Sequence, residues 1–431
     1  MRALLCLALS VALLCSLVFA EHQGDHGKKG SSKGGHKKKD DQKPDQSQKG
    51  DDHVSWAGQK LAAVNLKFAC EIFRQVTADH PSENVVISPI SISTAMALLS
   101  LGARGKTHDQ IIKGIGFNIS DISVKEIHDG FQHLLDSLND EERELHVDTE
   151  NGLFISKAGK IVDKFRDDAK NRYASEGFMV DFQDNEEAKK QINSYVEKKT
   201  NGKLTNVLSS VDKDAALVLV NYNYFRGQWE VPFEEEYTSE RDFHVSDKVT
   251  MKVPFMSRTG PHQVAFLGDA AVVNLSYKGN ASALFILPKD GKMMEVERNV
   301  LNTMRGFEKR NKIMVVDLQI PKFSLTGILD LKYVLAKFGI VDAFSNSADF
   351  SGITGAPDLK VSNVIHIAKI SIDEKESKSI RRAEPAATKV VDAIPMSQPP
   401  TITFIRPFVV AVYDEIRKVL LFVGKCFNPE K

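Results

Sequence analysis

Cysteine is almost missing from this 431-residue sequence: there are four, and Cys6 and Cys15 fall in the apolar run at its start. Only Cys70 and Cys426 remain, too few for a disulfide scaffold. Cys70 stands among Phe68, Ala69, Ile72 and Phe73, where a small buried thiol is expected; a Cys70-Cys426 bridge or an intermolecular link is the alternative. An excess of charge is missing as well. The 57 basic residues match 57 acidic ones, which removes any whole-chain argument for nucleic acid. No stretch approaches the roughly 18 apolar residues of a membrane span, and Ala3 to Leu14 is too short for one. The GxSxG nucleophile elbow and the HExxH zinc helix are both absent. Gly102-Ala103-Arg104-Gly105-Lys106-Thr107 ends like a phosphate-binding loop, but Ser100 stands where that loop needs its first Gly. A helix-ending turn fits it better. No internal repeat is present either, so neither catalysis nor a cofactor has residues to stand on.

What is present begins with a leader. Arg2, the apolar run Ala3 to Leu14, Val18 and Ala20 predict a secretory signal over residues 1–20, cut after Ala20. The mature protein is then expected outside the cell. Residues 21–53 are nearly free of apolar side chains and rich in Lys, Asp, Gly, Gln and Ser, so they cannot bury enough surface to fold. Among the lysines of this tail stand His22, His26, His36 and His53. Three readings apply: loose binding of a divalent transition metal by the imidazoles, contact of the lysines with an anionic glycan, or a solvated tail with no ligand.

Beyond the tail, a prior of roughly 100 to 200 residues per domain would suggest two or three domains. Leu61, Val64, Phe68, Ile72, Phe73 and Val76 have the spacing of an amphipathic helix over Ala57 to Thr77. Pro81-Ser82-Glu83-Asn84 ends it, Val85 to Ser88 is strand-like, and Thr94 to Leu101 is an apolar helix. Further helices are expected over Ile161 to Lys170 and Glu186 to Lys199. Strands are expected over Leu217 to Tyr222, Ala283 to Pro288 and Ile313 to Leu318. Helices come mainly first and strands mainly later, which points to an α+β fold.

The most informative stretch is Ala393-Ile394-Pro395-Met396-Ser397-Gln398-Pro399-Pro400. Each proline fixes its own backbone and drives the preceding residue into extended geometry. Such a segment can lie in a protease cleft as an added strand. Met396 would fill the primary pocket and place the Met396-Ser397 bond at the catalytic centre, which suits a serine protease of elastase-like or chymotrypsin-like taste.

The surroundings of this bait resemble a serpin. Upstream is Ile370-Ser371-Ile372-Asp373-Glu374-Lys375; downstream are Ile405-Arg406-Pro407-Phe408-Val409-Val410 and Phe422-Val423-Gly424-Lys425. Asn84 to Ile92 and Asn221 to Phe233 supply two more motifs in family order. The resemblance implies a single domain over residues 54–431: helices packed on three mainly antiparallel β-sheets, with a reactive loop at about residues 376–400. It implies that Ser88, Ser91, Asn221 and His366 form a buried polar shutter closing the central strands of the main sheet. Such a network can hold a sheet closed and rearrange when a strand enters. Sequons at Asn118, Asn274 and Asn280 need surface sites for a glycan. Asn118 and Asn280 lie in turn-like sequence and are expected to carry one, whereas Asn274 lies in an expected strand.

Family inhibitors are cut, and the loop then inserts as a strand in the main sheet, dragging the acyl-bound protease until its site distorts. The hinge that inserts first is small and uncharged in those inhibitors. Here it reads Arg382, Ala383, Glu384, Pro385, Ala386, Ala387, Thr388 and Lys389. With Ala383 facing inward, Pro385 and Lys389 also face the core. Pro385 cannot donate a ladder hydrogen bond, and Lys389 would bury an ammonium. The loop is also about six residues longer than the family pattern, a length that changes closure entropy only slightly. Two function classes follow. One is a monomeric secreted inhibitor; the other is a noninhibitory member acting as a protease substrate, a carrier, or a metal- or glycan-binding plasma protein.

Overall fold

The computed structural model describes residues 56–139, 145–157, 160–202, 204–374 and 398–430. The tail histidines His22, His26, His36 and His53, the hinge from Arg382 to Lys389, and the Met396-Ser397 bond lie outside the described residues.

Helix α1 (Trp56–Asp79) buries Leu61, Phe68, Ile72, Phe73 and Val76 on one face, the stripe that the apolar spacing predicts. It stops short of Pro81, which cannot continue a helix. After strand β1 (Val85–Ile87) comes helix α2 (Pro89–Gly102), buried along nearly its whole circumference. A helix wetted on no side has no polar face, so periodicity alone underestimates it; it begins at Pro89, well before the expected Thr94. Pro89 sits in its first turn, where a missing N–H costs nothing. Helices α3 (Gly105–Gly114) and α4 (Val124–Leu138) follow. Gly105 opens α3 at φ +50, so the phosphate-loop-like run is a turn between two helices.

The next elements alternate: strand β2 (His146–Ser156), helix α5 (Asp163–Tyr173), strand β3 (Glu176–Val180), helix α6 (Asn185–Lys199) and strand β4 (Leu217–Arg226). Then come strands β5 (Ser239–Ser246), β6 (Val249–Phe266), β7 (Ala270–Tyr277) and β8 (Ala281–Pro288), and helices α7 (Met293–Arg298) and α8 (Val300–Arg310). Strands β9 (Lys312–Pro321) and β10 (Phe323–Asp330) precede helices α9 (Lys332–Lys337) and α10 (Ser351–Thr354). Strand β11 (Val361–Ile372) comes next, and β12 (Thr401–Thr403), β13 (Phe408–Asp414) and β14 (Val419–Cys426) are the last strands among the described residues.

Two hydrogen-bonded sheets result among the described residues, where three were expected. One has five strands in the order β10-β11-β4-β2-β3; the other has nine and includes β1, β5 to β9 and β12 to β14. The reason is β6. Its 18 residues pair with β5 at one end, with β9 from Phe255 to Val264 and with β7 from Gln263 to Phe266, which joins two expected sheets into one ladder. Strands β8, β13 and β14 are buried at every or nearly every position, which explains their unbroken apolar runs. The one lysine among them, Lys425, places Nζ 3.0 Å from Glu297 Oε1 and 2.7 Å from the His80 carbonyl oxygen. Cys70 and Cys426 are free and buried, and burial pushes the Cys70 thiol up to about 12. Among the described residues no helix is long and apolar enough to cross a membrane.

Helix α2 packs against α1 and touches β14 of the large sheet and β4 of the small one. It is the shared spacer between them. The two sheets also meet at β1 and β10, where a Cβ added at Gly327 would collide with the Val86 carbonyl. Gly327→Ala must therefore push these backbones away from each other. It is expected to lower stability by about 1–3 kcal/mol, measured as a fall in the urea midpoint at unchanged slope.

Candidate functional site

Strands β4 and β11 lie side by side in parallel register, with Asn221 opposite His366 and Asn223 opposite Ala368. Alternation along β4 sends Leu217, Leu219, Asn221 and Asn223 to one face and Val218, Val220 and Tyr222 to the other. The first face meets α2; the second belongs to the smaller core that includes Ile192 and Val196 of α6. The polar residues of β4 therefore meet the N-terminus of a buried helix.

There the four residues singled out in the sequence come together. His366 Nδ1 lies 2.7 Å from Asn221 Oδ1, and Ser88 N–H donates to His366 Nε2 at 3.0 Å. Because Nε2 accepts, the ring proton is on Nδ1 and donates to Asn221. Burial pushes His366 down to about 3, so the ring is neutral at physiological pH. Ser91 Oγ donates to Asn221 Oδ1 at 2.7 Å and stands 3.1 Å from the Ser88 carbonyl. Ser88 contributes its backbone rather than its hydroxyl, whose oxygen is buried and finds no partner among the described residues.

Three more residues, two of them outside every motif, extend the network. Asn221 Nδ2 donates to Asn151 Oδ1 on β2 at 2.8 Å. Asn223 Nδ2 donates to Ser91 Oγ and to Asn221 Oδ1, the latter at 3.1 Å, and Asn223 Oδ1 accepts from Thr149 Oγ1 at 2.8 Å. The available signal was Asn223 itself, one strand period beyond Asn221 and thus on the same face. The network spans α2, β11, β4 and β2, and it contains no charge.

A second polar cluster holds the end of β11 where the loop departs. The Glu374 carboxylate, nearly fully buried, pairs with Lys322 Nζ at 2.8 Å and accepts from Thr238 Oγ1 at 2.8 Å. Burial disfavours its charge, but Lys322 and Thr238 outweigh that and hold the carboxyl below its usual range. The Glu374 carbonyl accepts Phe233 N–H at 3.1 Å, and the Asp373 carbonyl accepts Trp229 Nε1 at 2.9 Å. Trp229 stacks on Tyr277 with centroids 4.1 Å apart. The Asn221 to Phe233 motif thus supplies residues of the buried network from its strand and contacts to the end of β11 from the turn that follows.

The sequons are placed as their local sequence suggests. Asn118 is exposed with an Asx-type bond from Ser120 N–H at 3.1 Å, and Asn280 is exposed at φ +62 in the β7-β8 turn. Asn274 is half-buried in β7, with Oδ1 shielded.

Comparison with known proteins points one way. A family model described as "Serpin (serine protease inhibitor)" matches residues 63–429. Alpha-1-antiproteinase of Callosciurus caniceps is 44% identical over 382 residues, 88% of this chain and 91% of that protein. Alpha-1-antitrypsin of Sus scrofa is 41% identical over 380 residues, 88% and 89% of the two chains. Among solved structures, human thyroxine-binding globulin complexed with thyroxine superimposes at a TM-score of 0.80 with 36% identity, covering 86% of this chain and 99% of that one. Human glycosylated kallistatin gives 0.78 and 33%, covering 87% and 99%.

Two outcomes test the network. Asn221→Leu removes the shared acceptor and strands buried donors on Ser91, His366 and Asn223, so it is expected to cost about 1–3 kcal/mol for each group left unpaired; thermal or urea unfolding reads this. The second outcome is pH dependence. An unfolded His366 titrates near its ordinary 6.5, while the folded one stays neutral down to about 3. The unfolded state then binds more protons, so stability is full above pH 6.5 and falls as the pH drops towards 3. His128 and His262, each pushed down to about 4 chiefly by burial, act in the same direction. Comparing acid unfolding of the wild type with His366→Gln isolates the share of His366; equal slopes would show that it does not contribute.

Proposed function

Because the chain belongs to the serpin family, we propose that it is a secreted suicide inhibitor of an extracellular serine protease of elastase-like or chymotrypsin-like taste. One observation carries the reading: β11, which runs into the loop, lies directly against β4 in parallel register. A loop that doubles back from the end of β11 between these strands runs antiparallel to both. It replaces one parallel ladder, slightly weaker per residue, with two antiparallel ones. The five-stranded sheet is thus in its unexpanded state, and inserting a strand is downhill once the loop is cut. Cleavage at Met396-Ser397 would release the segment that inserts.

The shutter sets the resistance. A strand entering between β4 and β11 moves them apart by about 4.8 Å, which breaks the His366 to Asn221 bond. Glu374, Lys322 and Trp229 hold the point from which the loop must fold back. The leader at residues 1–20 supports secretion, and the exposed Asn118 and Asn280 support glycosylation there. A metal on His22, His26, His36 or His53, or an anionic glycan on the lysines between them, would be an added property of the tail.

A second reading rests on the hinge. Pro385 in a central strand lacks an N–H, and Lys389 would bring a charge against the core. Slow insertion lets the acyl-enzyme hydrolyse, and the protein then behaves as a substrate, as a noninhibitory carrier would.

Mixing with pancreatic elastase and with chymotrypsin separates the two. The expected result is a denaturant-stable complex, with more than one serpin consumed per protease inactivated. Cleaved protein should melt well above intact protein, because a strand has been added. The double variant Pro385→Ala, Lys389→Thr should then raise the fraction trapped. Cleavage with no complex and no gain in melting temperature would sink the inhibitor reading.

A further inference from the structure

Strand β9 breaks a pattern that the rest of its own length keeps. Its inward residues Val316, Leu318 and Ile320 are fully buried, and two of its outward residues, Asp317 and Gln319, are polar. Yet Ile313 and Val315, on that same outward face by alternation, are 75% and 57% exposed. Across the ladder, the exposed Pro261 of β6 stands opposite Val315, and Gln263 opposite Ile313. Facing residues of neighbouring strands share a side of the sheet. Ile313, Val315 and Pro261 therefore make one apolar patch, bordered by Asp317.

The edge of β9 is also half open. Strand β6 pairs with it along its whole length, whereas β12 pairs only with Asp317, Leu318 and Gln319. Among the described residues, 312–316 have no strand on that side. An open edge bearing β-branched apolar residues invites contact with another chain. The segment leading into β12 brings Pro399 and Pro400 to this corner, and prolines offer no N–H to a ladder. What remains for a partner is the side-chain surface.

Chain length says which partner reaches it. The Pro400 carbonyl accepts Asp317 N–H at 3.0 Å, and Ser397 is three residues earlier in the sequence. At no more than about 3.6 Å per residue, the Met396-Ser397 bond stays within about 20 Å of Val315. A protein seated on that bond covers about 800 Å², a disc about 16 Å in radius, so its rim reaches Val315 once the intervening residues are less than fully extended. We propose that Ile313, Val315 and Pro261 form an apolar exosite for the protease that reads the Met396-Ser397 bond. This rests on the reading of that bond as protease bait, and it assigns to the body of the protein a share of the selectivity that the loop would otherwise carry alone. The partner it fits is a serine protease with an apolar rim on the leaving-group side of its cleft.

The test uses the full-length mature protein with Ile313→Thr and Val315→Thr together. Threonine keeps the β-branch that suits the strand, and an unchanged melting temperature checks the fold. The readout is the second-order rate of Met396-Ser397 cleavage and of stable-complex formation, with pancreatic elastase and with chymotrypsin. A peptide spanning residues 391–400 gives the rate of the loop sequence alone. Val249→Thr, an exposed apolar residue at the opposite end of β6 from Ile313, is the control. The exosite predicts a drop of about tenfold in rate for the double variant, no change for Val249→Thr, and a wild-type protein cut faster than the peptide. An equal rate for the double variant and the wild type with both proteases overturns the exosite, even if complexes form. A rate that falls while no variant forms a stable complex supports the exosite and removes the inhibitor reading instead. Self-association of the wild type that the double variant loses, with cleavage unchanged, would assign the patch to a second copy and also overturn it.

Discussion

The bond from His366 to Asn221 is the contact on which the rest of this structure depends, because it closes the seam between β4 and β11 with polar atoms in a fully buried place. Aliphatic side chains could fill the same seam, but their attraction fades gradually with distance. A buried hydrogen bond is strong when aligned and expensive when broken. Keeping His366 neutral is part of the design, since a charge here would cost far more than the bonds return.

The surrounding elements carry the consequences of that choice. Helix α2 is buried on every side because its N-terminus must bring Ser88 N–H and Ser91 Oγ to one face of the seam. On the opposite face, α6 is tied across the sheet at its end: Lys199 Nζ reaches Glu150 on β2 at 3.0 Å and Glu176 on β3 at 3.1 Å. The Tyr195 ring lies where a side chain on Gly152 would otherwise stand. The seam between β4 and β11 is thus backed by the polar network on one face and by the core under α6 on the other. Glu374 and Trp229 meanwhile hold the end of β11 in place.

Much of this is legible in the sequence, though unevenly. The stripe of α1 can be read because one wet face leaves a period. The start of α2 cannot, because a helix with no wet face leaves none. The length of β6 is hidden too, since Gly260 and Pro261 look like a break. In the structure they sit within a strand paired to β9 at both positions. Ser88, Ser91 and Asn221 are marked by their motifs and His366 by the family resemblance, but Asn151, Thr149 and Lys322 by neither. Each of these is an ordinary polar residue in its own segment, and what makes it a member of a cluster lies on another strand.

The sequence by itself determined the family, through motifs that are all runs of adjacent residues. The tertiary structure alone decided which polar atoms of those runs meet, that Ser88 acts through its backbone, and that Ile313 and Val315 stay wet beside β12. The physical reason is separation along the chain. Ser88 and His366 are 278 residues apart, and only the packing of α2 between two sheets places one within hydrogen-bonding distance of the other.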